Sequence, residues 1–343
     1  MPNALVVLVA LGLLALLLDL GGRLFGTYAQ TPLRAASRIT IVTAACFALM
    51  APALISFALE EGSSPRGLWF SAGLGLVAVL HFLFPFRFGI RRSSGDSPAQ
   101  VQPLIPGMQI RAETFASKLI PAAADGLECL VLSDLHCNTR HKLELLRRIV
   151  ETLKNETVDC VFVLGDLGEK NALIPDVLAA IAQLPHKHGT FLVRSNHDFE
   201  GGRDEVVEQT AAEHSIRVLA NDAATLPDLG ICLLGLEYPW NQQGTPSPPD
   251  GTFTIGLTHT PDNLTHFARL HVSLSVAGHT HGGKIRLPWI GPLLVPSKFG
   301  RLLDYGWFRT CESRMFVTKG IGYFPGLFGS RGEVLKLRLK RIP

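Results

Sequence analysis

Positive charge is scarce where a nucleic-acid binder would need it. From Met108 onward, 25 basic residues are balanced by 25 acidic ones. The net charge of +3 lies wholly before Met108, where seven Arg and no Lys accompany four acids. Nucleic-acid recognition calls for a basic face on the binding domain. The pI near 8.6 is therefore no argument for such a partner, and none is expected. Cysteines are few and dispersed, at 46, 129, 137, 160, 232 and 311, with no CxxC pair. Cys129, Cys160 and Cys232 fall in apolar, strand-like runs, where Cys acts as a small hydrophobe. That fits a reducing compartment. Met1-Pro2-Asn3 lacks the basic start of a cleaved signal peptide, so a retained helix is expected there. Arg91-Arg92 follows an apolar run instead of preceding one, which excludes a twin-arginine export signal. No internal repeat is visible.

Apolar residues are abundant, at 47%, and mean hydropathy is +0.25. The excess is concentrated at the front. Ile39–Leu59 and Leu68–Phe86 carry no charge, and Ala4–Leu18 is apolar up to Asp19. About 20 helical residues cross a bilayer core, so residues 1–90 are expected to hold two to three transmembrane helices. His81 lies in the third stretch. Arg23, Arg34 and Arg38 follow the first span, and Arg87, Arg91 and Arg92 lie at or after the third. Basic residues stay on the cytoplasmic side. The expected protein is a multi-pass protein of the cell inner membrane with its C-terminal domain in the cytoplasm.

Residues 91–107 are rich in Ser, Gly, Pro and Gln and read as a linker. Residues 108–343 read as one domain. Leu127–Asp134, Asp159–Asp166 and Thr190–Asp198 are short apolar runs that end in polar residues. Helix-like segments, Arg140–Lys154, Leu173–Leu184 and Asp204–His214, follow them. Alternating buried strands and helices indicate an α/β domain, whose ligand sites gather where strands end. Further strands are expected at Gly230–Leu236, Thr252–Thr258, Val272–Val276, Arg314–Thr318 and Glu333–Leu339.

The strand ends carry the chemistry. They read Asp134-Leu135-His136, Gly165-Asp166, Asn196-His197-Asp198, Thr258-His259 and Gly278-His279-Thr280-His281. Residues at i and i+2 of an extended segment point to one side, so His279 and His281 can aim at one volume. Taken alone, that pair fits either metal binding or exposure in a loop. Together the five strand ends supply carboxylate, imidazole and amide oxygen donors.

In order and rough spacing these motifs resemble the calcineurin-like metallophosphoesterase family, and the tail from Gly282 resembles its membrane-associated bacterial branch. The resemblance implies a two-sheet α/β sandwich flanked by helices, here preceded by a transmembrane helical segment. It implies two divalent metal ions, Mn, Fe or Zn with Mn favoured. Asp134, His136, Asp166 and His281 would bind one. Asn196, His259, His279 and a bridging Asp166 would bind the other. A metal-bridged hydroxide would attack a phosphodiester or pyrophosphate bond. His197 would protonate the leaving oxygen, with Asp198 either orienting it or at the surface.

Two positions depart from the family pattern. Ser195 replaces a Gly, and a positive φ there would be costly. Glu169 stands where the family often has Asp, and it either substitutes or lies behind the ligands. Cys137 is a candidate lining residue. His186 and His188 read as solvated loop residues, while His141, His214, His266 and His271 carry no ligand pattern.

The apolar stretches Trp289–Phe308 and Ile321–Phe328 would either pack as core or form a binding patch. With a membrane anchor, the patch would suit a lipid-linked substrate, and the resemblance to the membrane-associated branch implies a nucleotide such as UDP-2,3-diacylglucosamine. A less selective phosphodiesterase or phosphatase on soluble substrates, and a silent metal-binding sensor, are the alternatives.

Overall fold

The computed structural model describes residues 89–242, 244, 247–283, 286–287, 291–292, 295–322 and 331–343. The three apolar stretches and His81 lie outside the described residues. Among the described residues, no helix is long and apolar enough to cross a membrane.

Two compact units are present. The larger, Gly89–Gly282 with Leu303–Pro343, contains two seven-stranded sheets. In chain order its first strands are β1 (Arg91–Arg92), β2 (Gln100–Ile105), β3 (Met108–Ser117), β4 (Glu128–Leu132), β5 (Val158–Val163), β6 (His186–Leu192) and β7 (Ile216–Val218). Then come β8 (Ala223–Leu226), β9 (Ile231–Leu236), β10 (Phe253–Thr258) and β11 (Leu274–Ala277). In the smaller unit, β12 (Arg286–Leu287) and β13 (Gly291–Pro292) form an antiparallel pair. The larger unit resumes with β14 (Gly306–Thr310), β15 (Ser313–Val317) and β16 (Gly332–Arg341).

The first sheet runs β2-β3-β16-β4-β5-β6-β7, and the second runs β1-β14-β15-β11-β10-β9-β8. Strands β4, β5 and β6 are mutually parallel, as are β9, β10, β11 and β15. Parallel strands end at one edge of their sheet, and that edge carries the motifs.

Side-chain alternation explains the layers. On β4, Leu130 and Leu132 join one core with Val161 and Val163 of β5 and Leu192 of β6. That core is completed by α1 (Arg140–Leu153), α2 (Ile174–Ile181) and α4 (Arg203–Glu213). A short α3 (Asn196–Phe199) precedes α4. The alternate residues Cys129, Val131, Cys160 and Phe162 face the second sheet and meet Leu233, Ile255, Leu257 and Val276. The result is an α/β two-sheet sandwich flanked by helices. Cys129, Cys160 and Cys232 are buried and free.

The expected helices and strands appear within a few residues of their expected ends. Elsewhere the structure differs. The stretch expected to be a linker supplies β1, which pairs with β14, and β2, which pairs with β3. These are edge strands with mostly exposed residues, so they lack the apolar runs that mark inner strands. His186 and His188 open β6 instead of lying in a loop. Among the described residues of Trp289–Phe308, Val295, Phe299, Leu303, Trp307 and Phe308 are buried, which fits core packing instead of an exposed patch there, whereas Tyr323–Phe328 lie outside the described residues.

A fifth helix, α5 (Leu264–Arg269), lays the fully buried Phe267 against Gly256 of β10. A Cβ at Gly256 would come 2.5 Å from the Phe267 ring. Overpacking of this kind costs about 1–3 kcal/mol. Gly256→Ala should lower the urea midpoint accordingly with an unchanged m-value. An unchanged midpoint would mean the ring does not pack there.

Candidate metal centre

Each motif follows a parallel strand. Asp134 and His136 lie beyond β4, Asp166 beyond β5, and Asn196 and His197 beyond β6. His259 follows β10, and His279 and His281 follow β11. Asp134, Asp166 and His259 are buried, and His279 and His281 nearly so.

The donors converge. His136 Nε2 lies 3.3 Å from Asp166 Oδ2, and His259 Nε2 lies 3.4 Å from the same oxygen. His281 Nε2 is 3.3 Å from His136 Nε2 and 3.6 Å from Asp134 Oδ1. His259 Nε2 is 3.0 Å from His279 Nδ1. Two donors that each bind one ion at about 2.1 Å, at roughly 100°, stand about 3.2 Å apart. The observed separations fit shared cations. Ligand atoms of Asp134, His136 and His281 all lie within 4.8 Å of one another, as do those of Asp134, Asp166 and His259. Asp166 thus sits between two imidazole groups.

A second observation tests the fit. Asn196 Oδ1 is buried with no hydrogen-bond partner among the described residues. A buried amide oxygen without a donor is costly, and a cation would satisfy it. Mixed N and O donors suit borderline divalent metals. The residues therefore fit a dinuclear site, and the donor set does not single out one metal.

Backbone strain is concentrated in the same residues. Among the described residues, nine non-glycine residues have positive φ, and five of them are Asp134, His136, Asp166, His279 and His281. Such conformations cost energy and persist where surrounding structure enforces them. Here close packing enforces them. A Cβ at Gly165 would lie 2.7 Å from Ser195 Cβ, and one at Gly278 would collide with Ser133 and the Asp134 carboxylate. Asp134 also accepts from Ser133 Oγ at 2.6 Å and from His279 N at 3.0 Å.

The electrostatics follow from burial and neighbours. Burial alone would raise the Asp166 carboxyl. The imidazoles of His259, His136 and His197 and the Ser195 hydroxyl outweigh it, holding Asp166 well below the usual carboxylate range. Asp198 is raised, by its burial first and by Asp166 second. Burial lowers His136. It also lowers His279, helped by His259. Burial would lower His259 too, but Asp166 and Asp134 reverse the sign and raise it.

Ser195 has φ −116°, an ordinary extended value, so no strain arises. Its hydroxyl donates to Asp166 and caps α3. Asp198 is buried, which removes the surface reading, and it does not orient His197. Its carboxylate accepts from Asp166 N at 2.9 Å, Leu167 N at 3.1 Å and Ser195 N at 2.9 Å. It braces the Gly165-Asp166 turn, because a short helix start brings its carboxylate to those amides. Glu169 Oε1 lies 3.7 Å from His136 Nδ1, and Glu200 Oε2 lies 3.6 Å from His197 Nδ1. Cys137 Sγ points to the Leu135 and Lys142 carbonyls within the apolar core, and burial pushes its thiol up to about 12. It does not line the site.

Several supporting residues carry no motif signal in the sequence. Arg194 and Glu237 form a buried bidentate pair at 2.9 Å that ties the β6 end to the β9 end. Arg203 donates to the carbonyls of His197 and Glu169 at 2.5 and 3.1 Å, locking two motif loops together. Gly320 packs on Asp134, and Gly322 lies against Asp134 and His136. Only the buried positions of Arg194 and Glu237 directly at strand ends could have marked them.

Comparison with known proteins agrees with this geometry. Residues 127–283 match the calcineurin-like phosphoesterase family. The chain is similar to the uncharacterized metallophosphoesterase YkuE of Bacillus subtilis, at 28% identity over 66% of this chain and 84% of that protein. It is similar to phosphodiesterase YaeI of Escherichia coli, at 28% identity over 61% of this chain and 81% of that protein. It also resembles a zebrafish (Danio rerio) protein described as a transmembrane protein with metallophosphoesterase domain, at 26% identity. That match covers 65% of this chain and 55% of the relative. With its motifs gathered at the strand ends of both sheets, the chain carries a calcineurin-like phosphoesterase domain over residues 127–283 and is a metal-dependent phosphoester hydrolase.

Proposed function

We propose that the protein is a membrane-tethered phosphodiesterase that cleaves a phosphodiester or pyrophosphate bond at the cytoplasmic face. One observation carries the reaction: a buried Asp166 oxygen stands 3.3 and 3.4 Å from imidazoles of two different motifs. The name of the YaeI relative favours a diester. The apolar run before residue 90 and the name of the zebrafish relative favour the membrane.

In this reading Asp134, His136, Asp166 and His281 hold one divalent cation, Mn favoured. Asn196, His259 and His279 hold the second, with Asp166 shared. When bound, the cations supply Lewis acidity toward the phosphoryl oxygens and make water more acidic. His197 does not ligate. Its ring lies 5.5 Å from that of His136, near enough for it to face the same bound group and give a proton to the leaving oxygen. Asp198 and Ser195 hold the Asp166 backbone in its strained conformation, and Arg203 holds the His197 carbonyl.

The substrate proposed is a lipid-linked nucleotide of the UDP-2,3-diacylglucosamine kind, since an anchored domain works on what the bilayer presents. A broad activity on soluble phosphoesters is the competing outcome. Purified full chain in detergent, assayed with Mn²⁺ against both kinds of substrate, should release UMP from the lipid-linked one. Turnover confined to soluble esters would remove the lipid assignment and leave the hydrolase.

Chelation should abolish turnover, and Mn²⁺ should restore it. Asp166→Asn should lower both bound metal and turnover, the latter at least a hundredfold, because one shared ligand serves two sites. His197→Ala should keep its metal and still lose about 10²–10⁴-fold in rate. Metal loss in His197→Ala would make it a ligand instead.

Asp198→Asn replaces one of two accepting oxygens with an NH2 donor, which meets either the Leu167 N–H or the Asp166 and Ser195 N–H groups according to how the amide turns. It should destabilise the fold by about 1–3 kcal/mol, read as a lower melting temperature together with weaker metal binding.

A further inference from the structure

Trp240 stands beside the centre and is part of no motif. Its ring centroid lies 5.6 Å from that of His259 and 5.7 Å from that of His279. Its Nε1 is buried and has no hydrogen-bond partner among the described residues. An indole offers one donor and no acceptor, and a buried donor left unpaired is destabilising.

The turn that carries the ring is braced from several sides, and the ring itself lies against those of His259 and His279. The backbone N–H groups of Trp240 and Asn241 donate to Glu237 O at 3.0 and 3.1 Å. Asn241 Nδ2 donates to Glu237 Oε2 at 3.1 Å, and Asn263 Nδ2 donates to Tyr238 O at 2.7 Å. Glu237 is itself fixed by Arg194. A donor held still before its acceptor arrives is the arrangement that favours an oxyanion.

We infer that the Trp240 indole N–H is a substrate-binding donor, directed at a phosphoryl oxygen of the group held on the His259 and His279 side. This rests on the metallophosphoesterase reading above. Two imidazoles in reach of cations leave an anionic oxygen as the partner that suits both the centre and a pure donor. The inference assigns Trp240 to recognition of the phosphoryl group, whatever the alcohol or nucleotide attached.

The test uses full-length chain in detergent, ¹⁵N-labelled at tryptophan, loaded with Zn²⁺ and titrated with inorganic phosphate. Trp240→Phe keeps the ring and removes only the donor, and it also assigns the Trp240 indole signal. Phosphate should move that indole proton downfield in a saturable way. Trp240→Phe should bind phosphate about tenfold more weakly and lose about tenfold in kcat/KM, with zinc content unchanged. Equal phosphate affinity in both proteins, with an unmoved indole signal, would overturn the inference and leave the hydrolase reading intact. Failure of the wild type to take up zinc in equilibrium dialysis would overturn the metal reading, and the inference with it.

Discussion

A fully buried carboxylate has to be answered by its surroundings, and Asp166 is the carboxylate on which this site depends. Water cannot solvate it, so the compensation comes from the chain. Imidazoles arrive from the ends of β4 and β10, and a hydroxyl and a backbone brace come from the segment after β6. No two neighbours in sequence could supply these groups. The two-sheet architecture can, because its parallel strands end along the same edge. Burying this one anion therefore explains why histidines far apart in the chain must meet, and why so little of the site can shift independently.

Strain is the second consequence. Side chains that must converge from separate strand ends leave their backbones in conformations the chain would otherwise avoid. Five of the proposed ligand residues adopt positive φ. Glycine would relieve that strain but has no side chain to bind with. The chain instead places glycine next to the ligands, at Gly165 and Gly278, where a Cβ would strike Ser195 or Asp134. The strain is sustained by packing and by the Asp198 hydrogen bonds. The short loops between strand and ligand are thus the least tolerant part of the fold.

Much of this was legible in the sequence. Apolar runs ending in Asp, Asn or His gave β4, β5, β6, β10 and β11 and the donors beyond them, because buried parallel strands advertise themselves by continuous hydrophobicity. The edge strands β1 and β2 were illegible for the converse reason: with one neighbour and exposed faces, their composition matches a linker. β3 hid because it mixes Met108, Ile110 and Phe115 with the paired Arg111 and Glu113. Asp198 was expected at His197 and turned instead to the Asp166 backbone. Sequence separation says nothing about which of two adjacent partners a carboxylate will choose. Trp240 carried no spacing signal at all, since its neighbourhood is created by folding.

The Arg194–Glu237 pair shows how the supporting structure and the chemistry are joined. A buried ion pair is weak evidence of stability, because desolvation offsets much of the attraction. Its geometric effect is clearer. Arg194 directly precedes Ser195, Asn196 and His197, while Glu237 starts the turn that carries Trp240. Two parallel bonds fix the relative position of those segments in a way that apolar packing would not, since a planar guanidinium and a carboxylate match in only a few orientations. Glu208 adds a third contact to Arg194 at 2.7 Å, linking α4 to the same point. Removing the pair would leave both sheets able to form and the ligands present in the sequence. It would free the segment bearing His197 from the turn bearing Trp240, on whose fixed spacing recognition of a phosphoryl group depends.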